Sequence, residues 1–165
     1  MLLSLGAAVA PAALLWPTPA RAQGVADEAD LLFRRGGGLF RAGKFEDALL
    51  SFLASNRLAR NKNALFNIGL CFERLTQPAE AYRFFSEYEQ EKLTDTERQT
   101  VQQHLAGIRP RVALLTVSST PPGATVYLDR RDLGARGLTP ATYALPAGAH
   151  LVIVEAAGHV EQQLS

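Results

Sequence analysis

Few residues in this chain have the chemistry for catalysis or metal binding. There are three histidines, His104, His150 and His159, and one cysteine, Cys71. A single cysteine makes no internal disulfide and no cysteine-based zinc site. The histidines lie far apart in sequence, and no carboxylate cluster accompanies them. His104 falls on a helical stretch and is expected to be exposed; His150 starts an extended run, and His159 sits at a turn. Cys71 stands between Leu70 and Phe72, so a buried packing role is expected. Gly38 to Lys44 has the spacing G-x4-G-K, the start of a phosphate-binding loop. That loop needs a strand before it and Ser or Thr after the lysine. Here Phe45 follows Lys44 and the flank is helical, so the motif reads as a turn between helices. Glu87, Glu89 and Glu91 read as solvated surface. Asp129 and Asp132 flank Arg130 and Arg131 in a polar loop, where local ion pairs are expected. No serine has a nucleophile-elbow sequence. These residues predict no enzyme, no cofactor, no nucleotide and no metal.

The elements around them follow from composition and period. The chain has 165 residues, 17 Lys+Arg and 16 Asp+Glu, and is 47% hydrophobic. Residues 23–110 carry 12 basic and 12 acidic side chains, and residues 111–165 carry 4 and 4. That balance offers no electrostatic footprint for nucleic acid. Residues 1–20 are uncharged, and Ala20-Arg21-Ala22 fits the small-x-small rule of signal peptidase. A signal peptide at 1–22, with cleavage before Gln23, predicts export to the periplasm or cell envelope.

From 27 to 108 the apolar residues recur with a helical period. Shifting the chain by 33 residues places Leu32 on Leu65, Gly36 on Gly69, Leu39 on Phe72, Ala48 on Ala81 and Phe52 on Phe85. The small residues let two helices approach, and the aromatics fill the space between them. Residues Ala29–Ser55 and Asn63–Tyr88 resemble two tetratricopeptide repeats, helical hairpins of roughly 34 residues. Gly43–Phe52, GKFEDALLSF, is the strongest local match. Pro78 departs from the pattern unless it starts a helix. A third helix at 95–108, with Thr94 and Glu97 as a capping box, caps the array. Two repeats fall short of the three usually needed for independent stability, so packing against something else is expected. The resemblance implies a groove for a partner protein segment. Carried over position by position, it implies Arg34, Phe40, Asn67 and Arg74 as groove residues.

After Pro110 the period shortens. Short apolar runs at 112–117, 124–129, 142–145, 150–156 and 160–164 alternate with turns, predicting a small antiparallel β-sandwich. The segments SSTPPGATVYLD at 118–129, LTP at 138–140 and LPAGAHLVIVEAAGH at 145–159 resemble the PEGA domain. Pro122, Gly123, Gly134, Pro140, Gly148 and Gly158 are then turn residues, the glycines with positive φ. The resemblance spans 111–165 and leaves little room for a last strand, which suggests a C-terminal truncation. The expected whole is an α-plus-β chain of two parts, an exported bacterial scaffold or protein-interaction module. The alternative is a carbohydrate- or cell-wall-glycan-binding module, with Tyr127 and Tyr143 as stacking faces.

Overall fold

The computed structural model describes residues 19–165. The leader expected at 1–22 lies outside them, apart from its last four positions, which open the first helix. Five helices come first: α1 (Pro19–Arg41), α2 (Phe45–Leu58), α3 (Lys62–Arg74), α4 (Pro78–Glu89) and α5 (Asp95–Ile108). A short 3-10 turn at Arg109–Arg111 leads to six strands: β1 (Ala113–Val117), β2 (Thr125–Leu128), β3 (Gly137–Leu138), β4 (Ala141–Leu145), β5 (Val152–Glu155) and β6 (Gln162–Leu164). The chain is therefore an α-plus-β fold of two parts, as expected.

Local sequence sets the helix starts. The Asn61 side chain accepts a hydrogen bond from the Asn63 N–H at 2.8 Å and caps α3. Pro78 is the first residue of α4, where its missing N–H costs nothing. Thr94 and Glu97 form the expected capping box at α5. Glu46 and Asp47 sit in the first turn of α2, facing the positive end of its dipole.

The helices form two hairpins, α1–α2 and α3–α4, with α5 laid against α4. Ala48, Leu65, Ile68, Ala81, Phe85 and Val101 are 0% exposed and Phe52 1%, so the aligned positions 48, 52, 65, 81 and 85 share one core, whereas Leu32 stays outside it. Fully burying a phenylalanine of this kind contributes about 1.5–3 kcal/mol.

The strands make two antiparallel sheets, β1-β4 and β3-β2-β5-β6. Register pairs Leu115 with Tyr143 in the first and Val126 with Val154 in the second. The smaller sheet is a middle layer. On one face Leu114 and Ala144 join Val112 in the helical core. On the other, Leu115, Val117, Tyr143 and Leu145 pack with Val126, Leu128 and Val152 of the second sheet. The support that two repeats were expected to need is thus this sheet, resting on α4. The polar loop around Arg130 and Arg131 contains a 3-10 turn, Arg131–Leu133, and leads to the two-residue strand β3. Such a short strand, led by a glycine at φ 149°, leaves no periodic signal.

Candidate partner-binding site

The first-helix residues assigned to the groove fall into two sets. Phe40 and Arg74 come together: the Arg74 guanidinium stands 6.0 Å from the Phe40 ring centroid, joining the C-terminal ends of α1 and α3. The Phe45 ring meets Phe40 edge-on at 5.2 Å and holds it from the start of α2. Arg34 and Asn67 occupy equivalent turns of α1 and α3, 33 residues apart. Each bonds within its own helix. Arg34 pairs with Asp30 at 2.8 Å, and Asn67 donates from Nδ2 to the Asn63 carbonyl at 2.7 Å. Asn63, Asn67, Leu70 and Arg74 form one stripe on α3 at helical spacing. Arg34 and Arg74 are exposed; Phe40 and Asn67 are half-buried.

Charged contacts hold the neighbouring turns in place. Arg60 pairs with Glu91 at 2.9 Å, tying the end of the first hairpin to the end of the second. Lys62 pairs with Glu97 at 2.7 Å. The Lys62 bond, followed by the Thr94 N–H and hydroxyl, pulls the Glu97 carboxyl down to about 2. A cleft of about 380 Å³ opens beside these contacts, lined among others by Phe33, Arg60, Lys62 and Lys92. Nothing local in the sequence marks it, because its residues come from α1, the facing ends of α2 and α3, and two inter-helix turns.

His104 departs from expectation. It is half-buried rather than exposed. Its ring stacks on Phe85 at 4.9 Å and meets Phe66 edge-on at 5.6 Å, and its Nδ1 lies 2.8 Å from Glu73 Oε2. The crossing of α5 over α3 and α4 creates this site, and nothing local to residue 104 encodes it.

The other chemical candidates resolve into structure. Cys71 is 0% exposed, and burial pushes its thiol up to about 11, away from a reactive thiolate. Gly38 lies inside α1, Gly43 makes the turn at φ 75°, and Lys44 caps α2, so no phosphate loop forms. Among the described residues no group of three or more His, Cys, Asp and Glu side chains could hold a metal ion. Arg130 pairs with Asp132, whereas Arg131 reaches Glu155 at 3.1 Å and also Glu161. Tyr143 is 8% exposed, so its ring is no sugar platform, and the Arg131 guanidinium stands 5.2 Å over the Tyr127 ring.

In the β-part, Gly123, Gly134, Gly148 and Gly158 all have positive φ, and Pro122 and Pro140 lie in the loops they shape. Thr139 went unnoticed in the sequence. It is 4% exposed, and its hydroxyl accepts the Ala124 N–H at 3.0 Å and meets the Ser119 hydroxyl. Its backbone adds two bonds of 2.8 Å, to Gly123 and Ala124. Asp129 and His150 form a second clasp. His150 Nδ1 lies 3.1 Å from the Asp129 carboxylate, and His150 Nε2 lies 3.0 Å from the Pro146 carbonyl. The Asp129 contact raises His150 above its usual value, and His150 in turn lowers Asp129.

Fold and surface together define a class: a short helical-hairpin array fused to a small β-sandwich, with a polar and aromatic stripe on its first helices. The PEGA domain family matches residues 112–163, less than half of the chain. No curated protein matches the chain in sequence. Among the described residues no helix is long and apolar enough to cross a membrane.

Proposed function

We propose that the chain is a non-enzymatic scaffold of the cell envelope, whose helical hairpins bind an extended segment of a partner protein. One observation carries this reading. Phe40 and Arg74, from equivalent helices of two hairpins, meet on one surface and leave the Arg74 side chain exposed. An aromatic and an arginine side by side are the residue types that anchor protein interfaces. Asn67 lies on the Arg74 stripe and offers an amide for backbone recognition. The PEGA match supports an extracellular or periplasmic module, in line with the signal peptide that the sequence at 1–22 predicts. In this reading the β-sandwich supports the hairpins and sets their distance from the envelope.

The test is capture from intact envelope with a tagged chain, comparing wild type with a double variant, Asn67→Ala with Arg74→Ala. Loss of the captured protein with an unchanged melting temperature is expected. Equal capture by the double variant contradicts the assignment.

A further inference from the structure

The two repeats treat one stripe of their first helices differently. On α3, Ala64, Leu65, Ile68 and Cys71 are each 0% exposed. They lie on the helix against which α2 packs. The 33-residue offset maps them onto Leu31, Leu32, Arg35 and Gly38 of α1. Among the described residues no helix precedes α1, and the stripe is open. Leu31 is 62% exposed, Leu32 is half-buried, and Arg35 and Gly38 are exposed. A Cβ at Gly38 would meet nothing within 4 Å. The patch continues onto α2, where Leu50 is 66% exposed. A shallow cleft of about 200 Å³ runs between Leu32, Arg35, Asp47 and Leu50.

Stacked repeats bury their faces on one another, and a terminal repeat normally turns a polar face outward. This one turns out leucines. A cover for the stripe must also satisfy Arg35, which takes the place of the buried Ile68. Asp47 borders the same cleft, and among the described residues neither Arg35 nor Asp47 forms an ion pair. The patch thus holds one cation, one anion and three leucines. Its charges are self-complementary: a second copy placed by a two-fold axis would offer an Asp47 to each Arg35 and leucines to leucines.

We propose that this patch is an isologous dimer interface, covered by the same patch of a second copy. The proposal does not depend on the partner-binding stripe, which uses other residues.

The mass of the purified chain in solution, measured by light scattering across a concentration series, tests it. The expected mass is that of two chains at high concentration, falling to one on dilution. Leu31→Glu with Leu50→Glu gives one-chain mass at every concentration, with an unchanged circular dichroism spectrum because both positions are exposed. Arg35→Asp weakens association roughly tenfold, equivalent to about 1.4 kcal/mol. Adding Asp47→Arg to that variant restores it. A one-chain mass for the wild type at every concentration overturns the proposal and leaves the patch to an unrelated helix. A two-chain mass that survives the leucine substitutions also overturns it, because the interface then lies elsewhere.

Discussion

Gly69 lies so close beneath the Phe85 ring that a Cβ there would stand 2.7 Å from Cε1. The same contact occurs 33 residues earlier, where a Cβ at Gly36 would stand 2.8 Å from Phe52 Cδ1. The two hairpins are therefore built on one steric rule, a glycine on the first helix receiving an aromatic from the second.

That rule separates Gly36 and Gly69 from Gly37, the immediate neighbour of the first. Gly36→Ala and Gly69→Ala must push a buried ring aside, and each should cost about 1–3 kcal/mol. Gly37 is different: a Cβ there meets only the mobile end of Arg41, at 3.6 Å. Gly37→Ala should stabilise by about 0.5–1 kcal/mol, the usual penalty of glycine inside a helix. Urea unfolding of the three variants checks the signs; destabilisation by Gly37→Ala would contradict the account.

The Gly–Phe contact shows why much of the fold was legible. Glycines and aromatics recur at matching positions, and the chain itself carries that spacing. The Thr94–Glu97 box is equally local. Other features depend on what crosses what. His104 becomes half-buried only because α5 lies over Phe66 and Phe85. The middle-layer sheet left a partial trace: the nearly unbroken apolar run at 112–117 is what a strand covered on both faces requires. The identity of the second cover, α4, was not readable. Of the proposed groove residues, the pairing of Phe40 with Arg74 depends on how α1 meets α3, and nothing local to either residue encodes it.

The Asp129–His150 clasp makes the β-part sensitive to pH at both ends. His150 is raised, so its contribution is full below its ordinary value and lost as pH rises through the raised one. Asp129 is lowered, so its contribution is full above the usual carboxylate value and lost as pH falls through the lowered one. The clasp should therefore stabilise most between about pH 4 and 6.5. Melting temperatures across pH should fall on both sides of that window, and His150→Gln should flatten the alkaline side. An unchanged profile in that variant would remove the clasp from the account.

Thr139 holds two turns together through a buried hydroxyl. Thr139→Val keeps the shape but leaves the Ala124 N–H without its 3.0 Å partner. The expected loss is about 1–3 kcal/mol. Denaturant unfolding measures it, and a neutral substitution would show that the turns are held by the backbone bonds alone.

The most direct test of the partner-binding claim is photo-crosslinking in the intact envelope, with the reactive residue placed at Phe40 in one variant and at the exposed Leu138 in another. The account predicts one defined protein adduct from position 40, absent when Asn67 and Arg74 are replaced, and none of that adduct from position 138. A protein or glycan adduct from position 138 alone would move binding to the β-sandwich and contradict it.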